Sequence, residues 1–405
     1  MPLPLEKMRV LDLTRALSGP FCSMILADLG ADVVKVEPVG GGDMIRTWGP
    51  FDRDQSAYYL SGNRNKRSIA LNFRSPEGLA LLREMALKSD VMIENFKPGT
   101  LAKLGLDPQE LRALKPELII ASISGFGSSG PLSARPGFDQ IAQGYSGFMS
   151  VTGTTEPTRV GVAIGDLTSG MWLAIGVLGA WIARQDTGRG DHVETSLLSS
   201  LVSLLSVQGQ RYLSLGEVAE PTGNVHPVIT PYGVFRAGDG DMNIGAATQD
   251  MWLKLCDILE RPDLKSDPRF LDNASRMGHR QLLREIIEAE LARDTRAHWT
   301  ALLVAAEIPA GPINTVADAL NDAQVAHLGL VETLPHPTLG PLAQLSSPLK
   351  MAGAEEGWIR RSPPLLGQHT REVLENYGFA PAAIQELEAR GVVAQVAPAT
   401  SEDAA

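Results

Sequence analysis

Within the first 200 residues, short aliphatic and β-branched runs alternate with stretches of helical periodicity, and few folds admit that alternation. MRVLDL (8–13) has the make-up of a buried strand, GPFCSMILADLG (19–30) that of a helix closed by Gly30, and DVVKVE (32–37) that of the next strand. RSIALNF (67–73), DVMIENF (90–96) and ELIIASISGFG (117–127) predict three more strands, with a helix near 108–115 before the last. After RSIALNF, Ser75 suits a helix N-cap, with Pro76 at the first helical position and Glu77 in the first turn. Strands alternating with helices predict an α/β domain built on a parallel sheet covered on both faces.

A chain of 405 residues is long for one core and predicts two domains. A second pattern begins near residue 226. TPYGVFRAGDGDMNIGAA (230–247) predicts a hairpin turning at Ala237–Asp241, followed by helices near 249–259, 276–292 and 296–305. IPAGPIN (308–314) breaks that pattern. Short strands and loops follow from about 325, then a helix from His369 to Tyr377. The expected division is a large domain beginning with 1–200, a linker over 201–225, a small α+β domain over 226–320, a returning segment over 321–393 and a disordered tail over 394–405.

The formal charge of −11 argues against sequence-independent nucleic-acid binding, though not against a local basic site. Cys22 and Cys256 belong to no C-x-x-C pair, and the seven histidines show no ligand spacing, so no metal site or disulfide is expected. MPLPLEKMRV lacks a signal-peptide core. The most apolar run, 171–183, is too short to span a bilayer and predicts a buried helix. A cytoplasmic protein without membrane attachment is the expectation.

Four motifs bear on chemistry. The turn TRALSGPFC has the single glycine Gly19 and lacks G-x-G-x-x-G, which argues against a bound dinucleotide; SGFGSSG is not a serine-hydrolase elbow. NRNKRSIALNFR (63–74) gathers Arg64, Lys66, Arg67 and Arg74 with no acid, and Lys97 and Lys103 follow the next strand. Such a cluster is either a solvated rim or an anion site, and its place near the carboxyl ends of parallel strands favours phosphate binding. In GVAIGDLTSG (161–170) one carboxylate, Asp166, precedes the apolar run MWLAIGVLGAWIA. Helix capping accounts for an aspartate there. The same position keeps a carboxylate ionised, and Gly165 beside it allows close approach, which also suits a nucleophile attacking an acyl centre.

LDLTRALSGPFCSMILADLGADVVKVEPVGGGD, NRNKRSIALNFRSPEG, DVMIENFKPGTLAKLGL, GDLTSG, TGRGDHVETSLL, PAGPIN and PPLLGQHTREVL, in this order, resemble the class III CoA-transferases (the CaiB/BaiF, formyl-CoA transferase-like family) from about residue 6 to 393. RTWGP, YYLSGNRNKRSIA and PPLLGQHT are most similar to its succinate–hydroxymethylglutarate branch. The resemblance implies an interlaced homodimer, each chain carrying a Rossmann-like large domain and a smaller α+β domain, with linkers near 186–225 and 315–335. It implies no permanently bound cofactor, with CoA and acyl-CoA as substrates. It maps the family's nucleophile onto Asp166 and its CoA contacts onto Leu17, Ser18, Leu71, Asn72, Phe73, Arg74, Asn95, Phe96, Lys97, Lys103, Pro136, Gly137, Phe138 and Asp139. The implied reaction moves CoA from an acyl-CoA, expected to be succinyl-CoA, to a small dicarboxylic acid through aspartyl anhydride and aspartyl-CoA thioester intermediates. Arg64 and Arg276 are the candidates for the acid's distal carboxylate.

Two departures narrow the substrate. Leu17 stands where formyl-CoA transferase has a glutamine, and GNVHPVITPYG (223–233) replaces its glycine-only loop, which argues against formyl and oxalate transfer. Phe138 stands where the racemase branch has a proton-transferring histidine. An acyl-CoA racemase or isomerase, and a non-catalytic CoA-binding subunit of a dehydratase, are the alternatives; Phe138 argues against the first and an intact Asp166 against the second.

Overall fold

A computed structural model describes residues 2–352 and 357–395. The chain forms two compact units. Among the described residues the larger comprises 2–148, 160–210, 324–352 and 357–395; the smaller comprises 149–159 and 211–323.

The larger unit is organised by β1 (Arg9–Asp12), β2 (Asp32–Pro38), β3 (Lys66–Leu71), β4 (Val91–Glu94), β5 (Ile119–Ser124) and β6 (His192–Ser196). These six strands are parallel, in the order β3-β2-β1-β4-β5-β6. β1 shows why they read as unbroken apolar runs. Val10 lies in register with Val33 and Val91 and packs into the core of one sheet face; its neighbour Leu11 packs into the other. A strand buried on both sides has no polar position to alternate with. One face is covered by α1 (Ser18–Asp28), the other by α2 (Pro76–Lys88), which Ser75 caps through the Gly78 amide.

The expected parallel sheet gains one antiparallel edge. Val393–Ala394 pairs with Leu71 and Ala70 of β3, so Ala394 belongs to a strand rather than to a tail. The rest of the predicted tail, 396–405, lies outside the described residues. The predicted linker 201–225 also differs: α6 (Leu197–Ser203) ends within it and α7 (Ser206–Leu215) fills much of it. Upstream stand α3 (Pro108–Leu114), α4 (Asp139–Tyr145) and α5 (Ile164–Thr187).

α5 is longer than the apolar run 171–183 suggested, and by length and hydropathy it could cross a membrane. Only one face is buried. Leu173, Ala174 and Val177 join the core, while Met171, Trp172, Ile175 and Ile182 are 46–67% exposed. The expectation of a fully buried helix therefore holds for one face alone.

In the smaller unit, β7 (Tyr232–Ala237) and β8 (Gly240–Gly245) form the predicted hairpin, with Ala237 opposite Gly240. IPAGPIN supplies β9 (Ala310–Pro312), a third strand on the free edge of β8. α8 (Gln249–Ile258), α9 (Arg280–Leu291) and α10 (Arg296–Ala305) cover that sheet around Trp252, Phe270 and Trp299. The helix expected over 276–292 is broken at His279, where one short helix, Asn273–Gly278, ends and α9 begins.

Candidate active site

The carboxyl ends of β1, β4 and β5 open onto a cavity of about 230 Å³, and Asp166 lines it. This is where ligands of parallel α/β sheets bind. Asp166 lies in the first turn of α5, with Ala163 in the N-cap position, so it does not cap the helix as its sequence context suggested. No hydrogen bond to its carboxylate occurs among the described residues.

The expectation that a helix start would keep Asp166 readily ionised is also corrected. Burial, reinforced by the nearby charge of Asp139, lifts its carboxyl from the ordinary 3.8 to about 7. Asp139 stands behind the cavity wall. Its Oδ1 accepts the Gly165 amide at 2.8 Å and its Oδ2 accepts Gln143 Nε2 at 2.7 Å. The missing side chain of Gly165 admits this arrangement, because a Cβ there would lie 3.0 Å from both Asp139 Oδ1 and Leu201 Cδ1. Gly165 therefore makes room for protein atoms.

The loop after β1 forms the opposite wall. Lys35 Nζ donates to the Thr14 carbonyl at 2.9 Å, and the Thr14 amide donates to Asp12 Oδ1 at 2.9 Å. Asp43 Oδ1 accepts the Ala16 amide at 3.1 Å, and Asn95 clasps Arg15 through both its amide and its carbonyl at 2.8 and 2.7 Å. Ala16 is thereby held at φ +61°, a left-handed conformation unusual for alanine. Asp12 is fully buried; burial opposes its ionisation, but Lys66, Lys35 and the Ser23 and Thr14 hydroxyls hold its carboxyl below the ordinary range.

A third wall comes from the loop before α4. Gly137 and Gly125 stack backbone to backbone, and a Cβ on Gly137 would fall 2.7 Å from the Gly125 Cα. Arg135, from the same loop, lies over the rings of Phe126 and Tyr145 at 5.6 and 5.5 Å. Arg15 lies over Phe96 at 4.9 Å. Neither guanidinium forms an ion pair among the described residues, and with Lys97 they give the cavity that Asp166 lines three cations.

Of the sequence-predicted contacts, Ser18, Asn95, Phe96, Lys97, Pro136, Gly137 and Phe138 line this cavity. Leu17, Leu71, Asn72, Phe73, Arg74 and Lys103 are not in its lining; Leu71 is core, whereas Arg74 and Lys103 are exposed. Asp139 is occupied by the protein itself. The NRNKR cluster is not a free anion site. Arg64 forks onto Asp28 at 3.1 and 2.6 Å, and Lys66 pairs with Asp12, both pairs nearly inaccessible; Arg67, itself buried, pairs with the half-exposed Asp32. Arg276 is buried in the smaller unit, donating to the Thr230 and Phe270 carbonyls and to Gln249 Oε1. Sequence reasoning missed Arg15 and Arg135; the signal that could have found them is their place in the loops that follow strands β1 and β5, at the ligand-binding end of the sheet.

A neighbouring cavity of about 200 Å³ shares Phe96, Lys97 and Ser124 with the first and closes on Glu94. Burial lifts the Glu94 carboxyl to about 7 against the Ser122 hydroxyl and the Phe96 amide.

An unbonded carboxylate and three cations in one cavity, at the carboxyl end of a doubly covered parallel sheet, make a setting that suits acyl transfer on an anionic thioester. The sequence profile of CoA-transferase family III matches residues 5–370, and the chain belongs to that family; it is a CoA-transferase. Among relatives, it is 41% identical to succinyl-CoA:glutarate CoA-transferase of Mus musculus, over 97% of this chain and 91% of that protein. It is 37% identical to succinate–glutarate CoA-transferase of Agrobacterium fabrum, over 92% and 95%. A solved CaiB/BaiF family protein from Brucella suis superposes with a TM-score of 0.84 at 36% identity, covering 93% of this chain and 100% of that one.

Proposed function

We propose that the enzyme moves CoA from succinyl-CoA to a small dicarboxylic acid such as glutarate, through covalent intermediates on Asp166. The Asp166 carboxylate attacks the thioester carbonyl; the C–S bond breaks and CoA leaves as thiolate, giving a mixed anhydride. The thiolate attacks the aspartyl carbonyl and succinate departs, leaving an aspartyl-CoA thioester. The acceptor carboxylate then displaces the thiolate to form a second anhydride. Attack of the thiolate on the acceptor's acyl carbon releases the new thioester and frees Asp166. Each step is an acyl transfer between anions, with no proton consumed. The observation that carries this reading is the unbonded Asp166 carboxylate lining one cavity with Arg15, Lys97 and Arg135. The names of the relatives support the donor and acceptor class. Incubating succinyl-CoA with a panel of dicarboxylic and monocarboxylic acids, and reading the CoA products by mass spectrometry, tests it. Absence of any dicarboxylyl-CoA product defeats it.

Arg135 is the arginine we assign to the acid's distal carboxylate, in place of Arg64 and Arg276. Two aromatic faces hold its guanidinium without an acid, so its edge is preorganised for a carboxylate. Losing a charge-assisted pair costs about 1.5–3 kcal/mol. Arg135→Gln is therefore expected to raise KM for glutarate at least tenfold and to leave KM for butyrate little changed. Equal weakening of both acids would remove Arg135 from this role.

The exposed face of α5 supports a homodimer. Met171, Ile175 and Ile182 recur at helical spacing, and Val202, Leu204 and Val207 extend the apolar surface at the end of α6 and beyond. Exposed large apolar side chains on neighbouring elements in this number are covered in a stable soluble protein. Light scattering is expected to give twice the chain mass of 43.4 kDa at all accessible concentrations. A stable active monomer, or recovery with lipid vesicles on flotation, argues against a second copy as the cover.

A further inference from the structure

Asp139 is a second carboxylate beside the reactive one, and its protonation state follows from its partners. Gln143 Oε1 accepts the Val160 amide at 2.9 Å, which fixes the orientation of the Gln143 amide and turns Nε2 toward Asp139. The Gly165 amide is also a donor. Both Asp139 oxygens therefore accept, which is the bonding of an ionised carboxylate. Asp139 is buried, and no cation pairs with it among the described residues. A fixed negative charge thus lies one residue from the base of Asp166, bonded to the backbone of the same helical turn.

We propose that Asp139 is a positioning residue for Asp166: it holds the first turn of α5 through the Gly165 amide and sets a permanent charge behind the reactive carboxylate, a conflict that acylation of Asp166 relieves. The inference rests on Asp166 being the nucleophile. When Asp166 attacks the thioester, its charge passes to the departing CoA thiolate and the aspartyl group becomes a neutral anhydride. Repulsion by Asp139 is present in the free enzyme and absent in the acyl-enzyme. The same repulsion makes Asp166 more basic, in line with its elevated pKa, and a more basic carboxylate is the stronger nucleophile once ionised. The CoA contact that the family resemblance suggested for this residue is replaced by this indirect role.

Few titratable groups lie on the elements packed against α5: α4 brings Asp139 and Tyr145, α6 and β5 bring none, β6 brings His192 and Glu194, and α1 brings Cys22, whose thiol burial pushes far above neutrality, and the arginine-paired Asp28. In the cavity, Arg15, Lys97 and Arg135 are cations. Glu94, in the adjoining cavity, also titrates near 7, so the limb due to Asp166 is recognised by which substitution moves it.

The test is the pH profile of kcat/KM for succinyl-CoA, together with the fraction of enzyme trapped by hydroxylamine during turnover. Asp139→Asn keeps the acceptor for Gly165 and removes the charge. The acid limb is expected to move down by about one pH unit, a tenfold change in proton affinity, and the trapped fraction is expected to fall severalfold. Asn at 139 sets a donor against Gln143 Nε2, so D139N/Q143E is the companion. It satisfies every donor and returns a charge behind Asp166, and both limb and trapping are expected to revert toward wild type. A D139N limb and trapped fraction equal to wild type overturn the inference, as does a double variant that fails to fold or fails to revert. Asp166→Ala run in parallel separates the two readings: turnover by that variant defeats the nucleophile, whereas an inactive alanine variant beside an unmoved D139N profile defeats only the role of Asp139.

Discussion

Asp166→Ala is expected to abolish CoA exchange, and Asp166→Asn to stabilise the fold at pH 8. Removing a covalent nucleophile typically lowers kcat by on the order of 10⁴-fold or more. The wild-type enzyme, incubated with succinyl-CoA and hydroxylamine, should carry a hydroxamate on residue 166. An active alanine variant, or a label found elsewhere, would sink the covalent route. The stability effect has the opposite sign. The folded-state pKa of Asp166 is about 7 against an ordinary 3.8, so the folded chain holds its proton more tightly than the unfolded chain. The ionised group then costs stability fully above pH 7, and the cost fades as pH falls toward 3.8. At about 1.4 kcal/mol per pH unit the gap sets a ceiling on the order of 4 kcal/mol. Thermal melts should show the asparagine variant above wild type at pH 8, with the difference shrinking at pH 5. A variant less stable than wild type at pH 8 would mean that the ionised Asp166 is compensated by groups not seen facing it. The carboxylate proposed as nucleophile is then kept at a cost to the fold, the usual position of an active-site group.

How legible this was in the sequence varies with the range of the interaction. The parallel sheet was legible because strands buried on both faces leave continuous apolar runs, as Val10 and Leu11 do. The two-residue strand Val393–Ala394 carries no pattern long enough to detect, and a proline demotes Ala310–Pro312 from any strand prediction. The family motifs located Asp166 and most of the cavity's backbone walls. The basic cluster misled because its partners are remote: Asp28, Asp12 and Asp32 lie 36, 54 and 35 residues from the cations that they neutralise. A window of twelve residues sees four cations and no acid, whereas the fold supplies acids for three of them, from neighbouring strands and from the end of α1. Arg15 and Arg135 stand alone in sequence for the converse reason, since what makes them a pair is the sheet that brings two loops to one rim. Asp139 was legible only as part of a motif; its service to Gly165 depends on how α4 meets α5.

Arg64→Ala is expected to cost about 3–5 kcal/mol of stability, the usual range for removing one partner of a buried ion pair, rather than to weaken substrate binding selectively. The guanidinium and Asp28 are both nearly inaccessible, and the pair is bidentate. Asp28 ends α1, where the helix dipole disfavours a negative charge. Burial already lifts its carboxyl above the ordinary range despite Arg64, Asn65 and Arg360 around it. Without Arg64 the folded-state pKa rises further, so the loss is largest at high pH and diminishes as pH falls and a proton takes the place of the guanidinium. Melts at pH 8 and pH 5 should therefore show a larger deficit at pH 8. D28N/R64L removes both charges and should recover most of the stability, because a buried pair replaced as a whole is often close to neutral. Steady-state kinetics on the folded variant should leave the ratio of KM for glutarate to KM for butyrate unchanged. A variant with wild-type stability and a tenfold rise in that ratio would return Arg64 to the substrate and dismiss its structural pairing with Asp28.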